Sequence, residues 1–210
     1  MNPKYVLLLE DDAVPQLEML QVIHRILHRN HIEDRHGHEW SLMKLYYPER
    51  WQGYSFEIQY VAELISIGVL TGCLFHLIFH KVNRIHVPRT AYCIQWMPFI
   101  IGFLYIVLLC TLVGRQHLIE LKRLCLYLYS TKRAPDCCSP GILYPAHQAK
   151  TVVDVLNRTV CNHNYPLDMA LATHTRQTQL HTYLVEPNLV KHIGMISTLK
   201  GVSNAPWDFL

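Results

Sequence analysis

The sequence predicts an α/β fold interrupted by a two-helix transmembrane hairpin. Residues 5–9, Tyr-Val-Leu-Leu-Leu, are a short apolar run that stops abruptly at three carboxylates, Glu10, Asp11 and Asp12. Two further apolar runs, residues 60–80 and 91–113, are each long enough to cross a bilayer as a helix. Strand-like and helix-like stretches lie on both sides of them.

Composition sets the outer bounds. A chain of 210 residues is by default one domain. The net charge of +3 is too small to point to nucleic acid. Half of the residues are hydrophobic and 17% are charged, which directs attention to a membrane. The first residues carry no signal-peptide pattern, because the apolar run and its acids follow Met1 almost at once.

The apolar run at 5–9 reads as a strand buried on both faces. Three adjacent carboxylates would be costly to bury, so they are expected at the strand's exposed C-terminal end, where open α/β sheets bind ligands. Hard oxygen donors suit Mg²⁺ or Mn²⁺, and such an ion can bridge to nucleotide phosphates. Two known designs begin this way: the receiver domain of response regulators, and the GT-A fold of nucleotide-sugar glycosyltransferases. The bland alternative is a turn of solvated acids.

Residues 13–31 read as a helix with Pro15 in its first turn. Leu17, Leu20, Ile23 and Leu27 repeat at helical spacing, while His24, Arg25, His28 and Arg29 form the polar face. His28, His31, His36 and His38 match no standard metal spacing. A strand is expected at 42–47 and a turn at 48–53.

The first apolar span carries Glu63 near its start and His76 near its end. The second holds Gln95 and a tolerable Pro98, with Tyr92 and Trp96 near its beginning as interfacial aromatics. The linker 81–90 contains Lys81, Arg84 and Arg89, which favours a cytosolic linker and lumenal flanks. Arg115, Lys122 and Arg123, after the second span, weigh the other way. The sequon Asn157-Arg158-Thr159 agrees with lumenal flanks. The expected organisation is 1–57, a hairpin at 58–114, and 115–210.

Beyond the hairpin, periodicity does not separate helix from strand over 116–130. Residues 134–141 are a turn-rich junction, 142–145 a short strand and 146–158 an amphipathic helix. Cys73, Cys93 and Cys110 fall in the spans as small hydrophobes. Cys137 or Cys138 with Cys161 is the candidate disulfide on a lumenal side. Pro166 followed by Asp168 and an apolar run looks like a helix entry. Asp168 there is either a plain cap or a carboxylate presented as a general base. A strand at 182–185 leads towards His192, whose imidazole could ligate a metal.

The receiver reading fails, since that fold needs a later aspartate and none occurs from Arg35 to Pro135. The chain instead resembles the post-GPI-attachment GalNAc-transferase family of the Golgi. The resembling pieces are Tyr5-Val-Leu-Leu-Leu-Glu-Asp-Asp12, Lys44-Leu-Tyr-Tyr-Pro-Glu-Arg50, the hairpin, Pro135-Asp-Cys-Cys-Ser-Pro140 and Val185-Glu-Pro-Asn-Leu-Val-Lys-His-Ile-Gly194. The Asp168 segment and residues 187–199 are also similar to N-acetylglucosaminyltransferase IV.

This resemblance implies a GT-A fold split by a transmembrane hairpin, multi-pass in the Golgi membrane with its catalytic segments lumenal. It implies an inverting transfer of GalNAc from UDP-GalNAc to a mannose of the GPI-anchor glycan. Glu10, Asp11, Asp12 and His192 would hold Mn²⁺ and the UDP diphosphate, and Asp168 would be the base. GT-A folds place a nucleotide-binding half before the acidic motif, whereas nine residues precede Glu10 here. The expectation is therefore a truncated form lacking that half and the family's N-terminal anchor, with weak or no activity alone. The alternative is a non-catalytic membrane-anchored scaffold that keeps part of the fold.

Overall fold

A computed structural model describes residues 3–29, 40–55, 57–82, 92–162, 165–178 and 180–194, without the side chains of 50 and 92–95. The chain forms two compact units, Met1–Glu49 with Ile119–Leu210, and Arg50–Leu118.

The first unit is a mixed α/β structure. It contains strands β1 (Tyr5–Leu9), β2 (Ala13–Pro15), β3 (Trp40–Lys44), β4 (Ser130–Arg133), β5 (Gly141–Pro145), β6 (His181–Glu186) and β7 (Val190–His192). Its main helices are α1 (Met19–Arg29), α5 (Ala146–Arg158) and α6 (Leu167–Thr178). The main sheet runs β1-β5-β3-β6-β4, and β2 and β7 form a separate pair. Only β3 and β6 are parallel; the other neighbours are antiparallel. Strands from before and after the apolar hairpin are therefore interleaved in one sheet, β5 lying between β1 and β3.

Two apolar clusters sandwich that sheet. Met19, Val22, Ile23, Ile26 and Leu27 of α1 pack with Met43, Leu143 and Val185. Leu42, Ile142 and Tyr144 point the other way, to Val152 of α5 and Leu171 of α6. At the start of α1, Glu18 accepts from the Tyr129 hydroxyl (2.9 Å) and pairs with Arg123 (3.3 Å). Arg123 also donates to the Asn188 carbonyl at 2.8 Å, which ties α1 to the segment leading into β7.

Several sequence expectations are corrected. The strand at 5–9 is not buried on both faces: β1 is the sheet edge, and Val6 and Leu8 are 39% and 49% exposed. An antiparallel edge covers one face, so burial alternates. Pro15 does not open a helix. It ends β2, where it pairs with Val190, and α1 begins at Met19. The strand expected at 42–47 occupies 40–44, and the turn after it contains a 3-10 helix at Glu49–Trp51. The ambiguous stretch 116–130 resolves into α4 (Arg115–Glu120), a 3-10 turn (Leu121–Leu124) and the start of β4. The rings of His24 and His28 lie 4.3 Å apart. His31, His36, His38, linker residues 83–90 and Asn164 lie outside the described residues.

The second unit contains α2 (Ile58–Val82) and α3 (Tyr92–Val113). Ile58–Val82 and Trp96–Val113 are long and apolar enough to cross a membrane. Glycines let the helices approach: a Cβ at Gly68 would meet Phe103, at Gly72 Phe99, and at Gly102 Phe75. Glu63, acidic within an apolar helix, is matched by buried Arg115, 2.9 Å away. The Arg115 guanidinium also lies over the Tyr60 ring at 3.8 Å.

Candidate active site

The acidic motif is shaped by the point where β1 leaves the sheet. Leu9 pairs with Gly141, and the next amide, Glu10 N–H, donates to the Pro140 carbonyl at 3.0 Å. Ala13 N–H then donates to the Glu10 carbonyl at 3.1 Å and closes a tight turn. The chain next enters β2, whose register sets Ala13 opposite His192. Ile193 N–H donates to the Asp12 carbonyl at 2.9 Å. This backbone pairing brings a residue 180 positions later in the chain against the acidic turn.

Glu10, Asp12 and His192 converge as a result. One potential ligand atom from each lies within 4.8 Å of the others. His192 Nε2 is 3.0 Å from Asp12 Oδ2. Asp12 Oδ1 is buried and has no hydrogen-bond partner among the described residues. Glu10 is held by the Ser139 hydroxyl, which donates to Oε1 at 2.7 Å. Asp11 is exposed and is not one of the three. Gly194 closes the group: a Cβ there would overlap the Asp12 carboxylate and lie 3.2 Å from His192 Nε2.

Asp168 sits in the first turn of α6, where a negative charge is electrostatically favoured. Cys138 N–H donates to Asp168 Oδ2 at 3.3 Å. Consecutive residues of one junction thus grip the two carboxylate centres, Cys138 holding Asp168 and Ser139 holding Glu10. Cys138 adopts a left-handed φ of 73°, unusual for a residue with a side chain. Asp168 lines a pocket with Lys44, Asp136, Ser139, Thr175 and Thr182. Lys44 is buried, and burial pushes its ammonium down to about 8, although Asp168 and Asp136 act in the opposite direction. Burial, helped by Asp168, pushes the Tyr144 hydroxyl up to about 12. Asp136 is paired with Arg176.

Two other expected sites lie apart from this centre. Cys161 does not pair with either junction cysteine: Cys137 is joined to its neighbour Cys138, and Cys161 is free and exposed. The reason is topological, because a turn brings the adjacent thiols together while Cys161 lies beyond the end of α5. Asn157 is exposed in the last turn of α5.

Sequence reasoning gave no role to Lys44, Ser139 or Gly194. The signal for Lys44 was a lysine closing the mostly apolar run Trp40-Ser41-Leu42-Met43. Ser139 and Gly194 carry no such signal, since their roles come from the pairing of distant segments.

The sequence of residues 1–191 matches the family model described as GPI-N-acetylgalactosamine transferase PGAP4. Glu10, Asp11, Asp12 and Asp168 fall inside the match, and His192 is the residue just after it. No solved structure matches the chain. A match over nine-tenths of the sequence, joined to a mixed α/β domain with two apolar helices, means that the chain belongs to the GPI-N-acetylgalactosamine transferase PGAP4 family of glycosyltransferases.

Proposed function

We propose that the chain carries the metal-binding and acceptor-activating elements of an inverting transferase. The donor is UDP-GalNAc and the acceptor is a mannose of the GPI-anchor glycan. The mixed sheet is read as GT-A in type. The two apolar helices are read as a membrane hairpin, with the sheet domain on the lumenal side of the Golgi membrane.

The convergence of Glu10, Asp12 and His192 is the observation that supports this reading most directly. Two carboxylates and an imidazole are acceptable donors to Mn²⁺. The unpartnered Asp12 Oδ1 is the kind of buried atom that a cation would satisfy. His192 Nε2 is directed at Asp12, so it can donate to that carboxylate or, in the other tautomer, offer a lone pair beside it. Asp11 adds negative charge next to the group. When bound, the ion would neutralise charge on the departing UDP diphosphate.

The protein's own residues orient and deprotonate. Ser139 fixes Glu10, and the tight turn fixes Asp12. Asp168 accepts the proton of the acceptor hydroxyl as that oxygen attacks the anomeric carbon. The C–O bond forms on the face opposite the departing diphosphate, so the configuration inverts and no enzyme nucleophile is required. The Cys138 N–H holds one Asp168 oxygen, leaving the other available for the proton.

The test uses the whole chain in detergent. UDP should bind in Mn²⁺ and be lost in EDTA, and Asp12→Ala should abolish the metal-dependent part. UDP release from UDP-GalNAc on addition of GPI glycan should follow the same pattern. Equal UDP binding with and without metal would overturn the reading.

A further inference from the structure

Lys44 is a charged group where the packing calls for an apolar one. It ends β3 beside Leu42 and Ile142, which are 2% and 0% exposed, and is itself 7% exposed. Burying an ammonium is costly unless its donors are satisfied. Lys44 Nζ donates to the Pro135 carbonyl at 2.9 Å and to the Cys137 carbonyl. Those two carbonyls bracket the start of the junction whose next residue, Cys138, donates to Asp168. Cys138 is also the residue held at a φ of 73°, a conformation that persists only when its surroundings enforce it.

We propose that Lys44 is a positioning residue for the transfer reaction, clamping the 135–138 turn so that the Cys138 N–H fixes Asp168 in place to take the acceptor proton. The inference rests on the reading of Asp168 as base. Its content is separate: an ammonium on a central strand sets the geometry of a carboxylate on a helix through a backbone turn. Three elements meet at this point, β3 through Lys44, the junction through its carbonyls and amide, and α6 through Asp168. Asp136 and Asp168 are the other charged groups among the described residues lining the pocket, so both fields acting on Lys44 favour its charge. Tyr144 lies beside Asp168 from β5, and Arg176 of α6 is engaged by Asp136.

The charge makes the role measurable. Burial holds the Lys44 ammonium down to about 8, so its charge-assisted donation should weaken as the pH rises through that value. The wild-type transfer rate should fall over the same interval. Lys44→Arg keeps a cation with donors at every usable pH, so it should retain most activity and lose the fall near pH 8. Lys44→Met fills the same space without donors. It should lower kcat about 100-fold, as expected for a reacting group misplaced by about 1 Å, with Mn²⁺-dependent UDP binding retained.

A Lys44→Met enzyme with wild-type kcat overturns the inference, as does an unchanged high-pH fall in Lys44→Arg. So does loss of UDP binding in Lys44→Met that Lys44→Arg does not recover, since that marks a role in folding alone. Asp168→Asn separates the two readings. Full activity in Asp168→Asn removes Asp168 as base, whereas an inactive Asp168→Asn beside a fully active Lys44→Met removes only the role of Lys44.

Discussion

Gly194→Ala is the sharpest perturbation of the proposed metal group, because it adds one methyl and no charge. An alanine Cβ would overlap Asp12 Oδ2 and stand 3.0 Å from Asp12 Cγ and 3.2 Å from His192 Nε2. Ordinary contact begins at 3.4 Å, so Cγ must retreat by at least 3.4 − 3.0 = 0.4 Å and Nε2 by 3.4 − 3.2 = 0.2 Å. The oxygen must move furthest. Asp12 is a short side chain on a turn fixed by the Ala13 to Glu10 and Ile193 to Asp12 backbone bonds, so rotation of the carboxylate is the cheapest response. Rotation breaks the 3.0 Å alignment of Asp12 with His192. Disturbances of this kind around a ligand set weaken metal affinity about 10- to 100-fold. Because a rotating carboxylate absorbs the added volume, the thermal midpoint should barely change. The assay is a Mn²⁺ titration of UDP binding, with free Mn²⁺ followed by its paramagnetic signal, beside a melting curve in the same detergent. Unaltered Mn²⁺ affinity would refute the assignment. A large drop in melting temperature with proportionate loss of affinity would refute the claim that the glycine serves the site rather than the fold.

Two further outcomes are expected. Asn188, 7% exposed, accepts from Tyr47 N–H at 3.0 Å and donates to the Tyr47 carbonyl at 2.9 Å, so Asn188→Ala removes both bonds from a buried site. The loss should be about 2–4 kcal/mol, read as a melting point lowered by about 4–16 °C, and a shift within error would contradict it. Asn157 should carry an endoglycosidase-sensitive glycan in cells, absent from Asn157→Gln. An unglycosylated wild type with an accessible sequon would contradict the lumenal orientation.

The elements written into local periodicity were legible. The helix over 146–158 and the two apolar spans follow from side-chain spacing and length, and the structure has helices there. The 5–9 run was legible as a strand but not as an edge, because five apolar residues read alike whether one face or both are covered. Pro15 misled for a related reason: proline suits a helix start, but a partner strand 175 residues later in the chain took the segment into a ladder. In the candidate site, the residue types that hold metals and move protons were visible as Glu10, Asp12, Asp168 and His192. Their grouping was not, because Asp12 meets His192 through the β2–β7 register. Lys44 illustrates the remaining gap. A single sequence shows a lysine at the end of an apolar strand, and only the folded junction shows which carbonyls it serves.

The order of strands in the main sheet bears on how the protein is made. β5 lies between β1 and β3, so these two early strands have no ladder with each other and each bonds to a segment that begins at Gly141. Gly141 comes 97 positions after Lys44, and the stretch between them includes both apolar helices. At ribosomal speeds of about 5–20 residues per second, roughly 5–20 s of synthesis pass before β5 is made. Throughout that interval the nascent chain holds Tyr5–Leu9 and Trp40–Lys44 as unmatched β-segments, open to chaperones or to mispairing. If the apolar helices form the proposed membrane hairpin, delayed insertion would lengthen this exposure, so a lesion in either helix should register first as poor yield of folded protein.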